Sequence, residues 1–276
     1  MEKKFMRFDM HTHSQNSHDS ICPATEMAKA AKENALSGFA VTDHCDIEDC
    51  ERLDLNAICS GSFDEATKVG EKSDLIILRG IEIGEAFWHG STADIILSSF
   101  DFDVVIGSVH AVKFKNYEMP YSQINFQQMG RETSYAYLEQ YFTDMLKMID
   151  ECDFDILAHL TCPLRYINGK YGIGIDCKMY KAQITGILKK IIDKGIALEV
   201  NSSCVYEGSG YCEFLPEEWI IELYKSMGGY LITTGSDAHV SKNSALSFDK
   251  LYDMLKKIGF EKAYYFQKRK AREYKL

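Results

Sequence analysis

Short, nearly uninterrupted apolar runs alternate along the chain with longer stretches of helical periodicity, and most of the runs end on a histidine or an acid. Residues 5–10 predict a half-buried strand that leads into Asp9-Met10-His11-Thr12-His13. Side chains two apart on a strand share one side, so His11 and His13 face the same way. The pattern next predicts an amphipathic helix over residues 23–36 and a strand over residues 38–42 that ends at Asp43-His44. A helix over residues 62–72 precedes a strand over 75–81 ending at Glu82, and a helix over 91–99 precedes a strand over 103–109 that delivers His110. A long periodic helix over 131–151 leads to a strand over 154–158 and His159. Helices over 177–193 and 217–227 are followed by strands over 196–201 and 230–234, the second running on through Gly235-Ser236-Asp237-Ala238-His239.

Seven strands alternating with helices, each apolar on both faces, predict an α/β fold with a parallel sheet closed into a barrel. No Pro- or Gly-rich linker breaks the alternation, so residues 1–276 are expected to form a single domain. The longest irregular piece, residues 112–129, has the length of a loop or lid over an active site.

Composition narrows the function classes. The chain is 46% hydrophobic and 26% charged, as in a soluble globular protein, and no stretch is apolar enough to span a membrane. The start of the chain shows no secretory pattern, so a cytoplasmic location is expected. Nine cysteines without a Cys-x-x-Cys pair argue against a disulfide framework and a thiolate zinc ribbon. A net charge of −10, from 31 basic and 41 acidic residues, disfavours a nucleic-acid polymer as partner. The basic run Lys268-Arg269-Lys270-Ala271-Arg272 reads as a solvated helix face. The oligomeric state is left open.

His11, His13, His44, Glu82, His110, His159, Asp237 and His239 all fall at or just past the carboxyl ends of predicted strands. In a parallel barrel those ends gather on one face. Taken singly, His110 or His159 reads more readily as a core histidine donating to a carbonyl; together the eight predict a polynuclear metal site. A nitrogen and oxygen donor set without sulfur suits zinc, manganese or iron and argues against calcium or an iron–sulfur cluster.

The ordered segments His11-Thr12-His13-Ser14, Thr42-Asp43-His44, Gly80-Ile81-Glu82, Gly107-Ser108-Val109-His110, Ala158-His159-Leu160, Leu198-Glu199-Val200-Asn201 and Gly235-Ser236-Asp237-Ala238-His239 resemble the polymerase and histidinol phosphatase (PHP) superfamily. The similarity runs nearly the whole chain and is closest to the histidinol-phosphate phosphatase branch. It implies a distorted TIM-like (β/α)7 barrel with two or three divalent metal ions at its carboxyl-end face. By the same resemblance His11, His13, Glu82 and Asp237 hold one ion, and Glu82 bridges to a second held by His110 and His159. Asp19, where some members carry a histidine, joins His44 and His239 around a third; His18 and His89 are assigned no ligand role. Arg165 matches an arginine that clamps the substrate phosphate. Tyr206 stands where a second phosphate-binding arginine is expected, so Lys113, Lys115 or Lys170 would have to replace that charge, or Tyr206 would stack on the substrate.

The implied reaction is hydrolysis of a small phosphate monoester, foremost L-histidinol phosphate, by a hydroxide bridging the metals, with Asp43 or a metal-bound water as general acid. Other readings of the same residues are a phosphoesterase acting on nucleotides or nucleic-acid ends, a phosphotyrosine phosphatase, and a metal-binding protein without turnover.

Overall fold

A strand that is buried on both faces can afford no polar side chain except where chemistry or a partner requires one, and the strands of this protein obey that constraint. The computed structural model describes residues 6–204 and 210–276, with residues 205 and 206 described by backbone alone. Strands β1 (Phe8–Thr12), β2 (Gly38–Val41), β3 (His44–Asp46), β4 (Ile76–Gly84), β5 (Val104–Ser108), β6 (Ile156–Leu157), β7 (Ala197–Asn201) and β8 (Ile232–Gly235) form one parallel sheet. Seven of them lie in the order β1-β2-β4-β5-β6-β7-β8, and the short β3 pairs with β4 beyond the end of β2. Every residue of β1, β2, β5, β7 and β8 is buried. Fully burying each Val, Ile, Leu or Phe there contributes about 1.5–3 kcal/mol relative to exposure.

The barrel closes at its carboxyl end, where the Asp237 N–H donates to the His11 carbonyl at 2.8 Å and the His13 N–H to the Ala238 carbonyl at 2.9 Å. Gly235 permits this approach: a Cβ there would lie 2.3 Å from Glu199 Oε1 and 2.7 Å from His11 Cβ. At the amino end an antiparallel hairpin, β9 (Lys262–Gln267) and β10 (Lys270–Lys275), covers the seam between β1 and β8. Phe8 of β1 stacks on Tyr265 of β9 with ring centroids 4.0 Å apart.

Helices pack around the outside. The helix Arg131–Glu151 has the predicted bounds and buries Tyr137, Leu138, Tyr141, Phe142, Met145, Met148 and Ile149, the three-and-four spacing of one helical face. Other boundaries move. The helix predicted over 62–72 begins earlier, at Leu55, because the Asp54 side chain accepts a hydrogen bond from the Ala57 N–H and caps it. The helix predicted over 177–193 is a 3-10 turn (Cys177–Tyr180) followed by the helix Lys181–Lys194. Helix Phe248–Ile258 and β3 were not anticipated.

The basic run at 268–272 is a correction: it is a hairpin tip and strand, not a helix face. Lys268 and Arg269 adopt φ of 53° and 57°, and their N–H groups donate to Asp103 Oδ1 at 3.1 Å and the Asp103 carbonyl at 2.9 Å. Arg269 Nε donates to Asp155 Oδ2 at 2.5 Å, which fixes the hairpin across the foot of the barrel. No described helix is long and apolar enough to cross a membrane. Residues 112–129 fold over the carboxyl end and contain the turn Tyr121–Gln123 and the short helix Phe126–Met129.

Candidate metal centre

Because the strands are parallel, the side chains at their carboxyl ends project into one small volume, and Glu82 of β4 lies at its middle, fully buried. Glu82 Oε1 is 2.9 Å from His159 Nε2 and 3.1 Å from His110 Nε2. Glu82 Oε2 is 2.9 Å from His44 Nδ1, 3.3 Å from His11 Nε2 and 3.6 Å from His13 Nε2. Asp237 Oδ1 is 3.1 Å from His13 Nε2 and 3.6 Å from His11 Nε2. Asp19 Oδ2 is 3.1 Å from His239 Nε2 and 3.6 Å from His44 Nε2. All nine predicted ligands therefore come together, on one face.

These separations match those of atoms sharing an ion: bonds of about 2.0–2.2 Å imply ligand–ligand edges of about 2.9–3.5 Å in octahedral or tetrahedral geometry. His11 Nε2, His44 Nδ1, Glu82 Oε2 and His239 Nε2 are buried without a hydrogen-bond partner. Such atoms cost free energy unless something satisfies them. Their lone pairs are close without being aimed at one another, and divalent cations fit that donor set. Four overlapping triads each bring their ligand atoms within 4.8 Å: His11-His13-Asp237, His11-Glu82-His159, His13-His44-His239 and His44-Asp46-His110.

Electrostatics in the ion-free protein follow the same clustering. Burial works against charge on His11, His44 and His110, but the adjacent carboxylates, Glu199 and Glu82 at His11 and Glu82 and Asp46 at the other two, raise their pKa values well above 6.5. Burial likewise opposes ionisation of Glu82 and Asp237, and the surrounding imidazoles outweigh it and hold both carboxyls well below the usual range. His13 goes the other way: burial, then the neighbouring His239 and His44, push it down to about 3. His159 and Asp237 both adopt positive φ, 22° and 53°, a strained backbone for residues with a Cβ.

A further layer of polar groups orients these ligands, and the sequence did not single most of it out. Glu199 Oε1 is 2.7 Å from His11 Nδ1, while its Oε2 accepts from the His159 N–H at 2.8 Å. Asp46 Oδ1 is 2.9 Å from His110 Nδ1, and Ser17 Oγ is 2.9 Å from His13 Nδ1. A carboxylate on the far ring nitrogen fixes tautomer and ring orientation and raises ligand basicity. A signal for Glu199 existed: it is an acid inside an apolar strand run, where an unpartnered charge would be costly.

The site opens into a cavity of about 250 Å³. His44, Asp46, His110 and Asp237 lie in its wall, with Tyr121 of the 112–129 segment and Arg165. Arg165 is 6% exposed; its Nη1 donates to Ser203 Oγ at 2.8 Å and its Nη2 to the Tyr166 hydroxyl at 3.0 Å. Lys113 does not reach the cavity wall: its Nζ sits 4.2 Å from the centre of the Trp88 ring. Lys115 and Lys170 lie against Phe114 and Tyr171, and neither lines the cavity. The Tyr206 side chain lies outside the described residues. Asp43 is 2% exposed, accepts hydrogen bonds from the Ser14 and Ser17 hydroxyls at 2.7 and 2.9 Å and from Ser62, and ties down the loop after β1. His18 borders the cavity with its ring 5.1 Å from that of His44, and His89 precedes the helix Gly90–Ser99.

Comparison with known proteins agrees with this geometry. A family model described as PHP domain matches residues 9–203. A Thermotoga maritima protein named probable histidinol-phosphatase is 28% identical over 254 residues, 92% of this chain and 93% of its own. A Clostridium acetobutylicum protein of the same name is 29% identical over 93% of this chain and 98% of its own. Among solved structures, histidinol phosphate phosphatase from Lactococcus lactis, in complex with zinc, L-histidinol and phosphate, superposes with a TM-score of 0.74. It is 22% identical, covering 96% of this chain and 98% of that one.

Proposed function

This chain belongs to the PHP domain family, and from that premise we propose that it is a metal-dependent phosphomonoesterase hydrolysing L-histidinol phosphate to L-histidinol and phosphate. One observation carries the reading: the buried cluster centred on Glu82 opens directly onto a small cavity that also holds a buried arginine, Arg165. A phosphate dianion needs cationic groups converging on it, and a cavity of about 250 Å³ suits a small ester rather than a polymer.

In this reading His11, His13, Glu82 and Asp237 would hold one ion, Glu82, His110 and His159 a second, and Asp19, His44 and His239 a third. Divalent zinc, manganese or iron bound there supplies Lewis acidity, neutralising phosphoryl charge and activating water for attack on phosphorus. The protein's own groups do the rest. Glu199, Asp46 and Ser17 fix the orientation of His11, His110 and His13. Arg165, held by Ser203 and Tyr166, presents a planar fork to the phosphate oxygens. Tyr121 and the segment around it close one side of the cavity and limit its water. Nine cysteines without a Cys-x-x-Cys pair fit a reducing cytoplasm, where a biosynthetic phosphatase of histidine formation would act.

The test is a substrate panel: protein loaded with manganese, zinc or iron(II), assayed for phosphate release from L-histidinol phosphate, nucleotides, single-stranded DNA and a phosphotyrosine peptide. Turnover of L-histidinol phosphate well above the others is the expected outcome. Preference for a nucleotide or the phosphopeptide would reassign the substrate, and no turnover of any ester would remove the phosphatase reading.

A further inference from the structure

Regular pairing between β4 and β5 ends at Gly84 and Ser108, two residues short of His110. Past that point a side chain takes over from the backbone. The Glu85 N–H donates to the Ser108 carbonyl at 3.2 Å, and Glu85 Oε1 accepts from the N–H groups of both His110 and Ala111, the second at 2.8 Å. The carboxylate thus extends the ladder beyond the last backbone pair. To do so Glu85 adopts φ of 45°, a left-handed conformation that strains a residue with a Cβ. It is also wholly buried, and burial pushes its carboxyl up to about 8. A strained turn and a buried acid both cost free energy, and what they secure here is the pair of amides.

Those two amides carry a predicted metal ligand and the start of a cavity wall. The ring of His110 is held at both nitrogens, Nδ1 at 2.9 Å from Asp46 Oδ1 and Nε2 at 3.1 Å from Glu82 Oε1, but these contacts orient the ring and not the backbone that bears it. Ala111 opens a small antiparallel turn in which it bridges to Pro120 and Phe114 bridges to Tyr117. The Tyr121 N–H then returns to the His110 carbonyl at 2.9 Å. Pro120, Tyr121, Ser122 and Gln123, at the end of that turn, line the cavity. The hold of Glu85 therefore falls on the ion site and on the wall together.

We propose that Glu85 is a positioning residue: by holding the His110 and Ala111 amides it places His110 for its metal ion and sets the cavity wall that Ala111 leads into. This rests on the metal-dependent phosphatase reading above and adds to it a mechanical link between one ion and the shape of the substrate cavity. Reach and an oxygen acceptor are what the role demands, not negative charge.

The experiment titrates chelator-stripped wild type, Glu85→Gln, Glu85→Asp and Glu85→Ala with zinc alone by calorimetry, and then measures KM for L-histidinol phosphate at saturating zinc. Glu85→Gln keeps an oxygen acceptor at the same reach, Glu85→Asp keeps the acid but is one methylene shorter, and Glu85→Ala removes the acceptor. Glu85→Asp and Glu85→Ala should each lose about ten- to a hundredfold in affinity for one zinc ion, the scale of losing a group that orients a ligand. The other ions should change far less, and KM at saturating zinc should rise. Glu85→Gln should stay close to wild type in both measurements. Should Glu85→Ala fail to fold, Glu85→Gln against Glu85→Asp carries the same test. Wild-type zinc binding in Glu85→Asp would overturn the proposal, because reach would not matter. Glu85→Gln as impaired as Glu85→Asp would overturn it too, because charge and not the acceptor would be the cause. An equal loss at every ion, with a lower Tm of the stripped protein, would make Glu85 a residue of the fold alone, and an unchanged KM at saturating zinc would overturn the link to the wall. The zinc titration needs no ester, so a wild type that cleaves nothing defeats the phosphatase reading while the titration still decides whether Glu85 places His110.

Discussion

Glu82 lies within 3.6 Å of five imidazoles, those of His11, His13, His44, His110 and His159, and no other described side chain is placed to serve as many. Glu82→Gln keeps the shape and removes the charge between cations. It should lower kcat by about a hundredfold or more, the scale seen when one preorganised electrostatic group is lost, with metal content falling in parallel by elemental analysis. Glu199→Gln tests the orienting layer: His11 loses a charged partner at 2.7 Å, and metal affinity or kcat should drop about ten- to a hundredfold. Arg165→Ala should raise KM for L-histidinol phosphate by about ten- to a hundredfold, and unchanged kinetics for every ester tried would remove it as the clamp. At this scale the cluster was legible, because eight of its nine members stand at or just past the end of an apolar run and parallel strands bring such ends together, whereas Asp19 came from the resemblance alone. Asp46 and Glu199 were harder to read, since their partners are 64 and 188 residues away and pairing across that distance leaves no local pattern. Lys113 was one of three lysines offered in place of a missing charge, and its position in an irregular segment says nothing of which way that segment folds.

The strands and the 131–151 helix were legible from periodicity, while the end of the chain was not. Residues 268–272 are four basic residues and one alanine, compatible with a solvated helix surface, and the hairpin turn lacks the glycine or asparagine that usually marks positive φ. What fixes the hairpin is tertiary: Asp103 receives the turn N–H groups, and Arg269 pairs with Asp155. Burial pushes the Asp155 carboxyl up and Arg269 pulls it back. Arg269→Ala should therefore destabilise the protein by about 1 kcal/mol, discounted because Arg269 is partly exposed, and lower Tm by about 2–4 °C. Activity at a temperature where the variant is folded should be unchanged, since the hairpin sits at the opposite end of the barrel from the metal centre.

For the molecule as a whole, metal binding and protonation compete for the same atoms. His11, His44 and His110 have folded pKa values above 6.5, so in the ion-free protein their contribution to stability is fully present below about 6.5 and is lost as pH rises through the folded values. Ligation needs the imidazole lone pairs, so metal stabilisation runs the other way and strengthens as pH rises. The gap in Tm between metal-loaded and chelator-treated protein should widen from pH 6 to pH 8, and metal uptake at pH 7 should release protons measurable by calorimetry in buffers of different ionisation enthalpy. A gap independent of pH would mean that the histidines are not exchanging protons for metal.

The central claim, that this cluster is a metal centre driving phosphate ester hydrolysis, is tested most directly by stripping the protein with chelator and following phosphate release from L-histidinol phosphate as zinc or manganese is returned stepwise. The account predicts no turnover in the stripped protein and recovery that saturates at two or three equivalents of metal per chain. Full activity in the stripped protein, or no phosphate release at any metal loading, would contradict it.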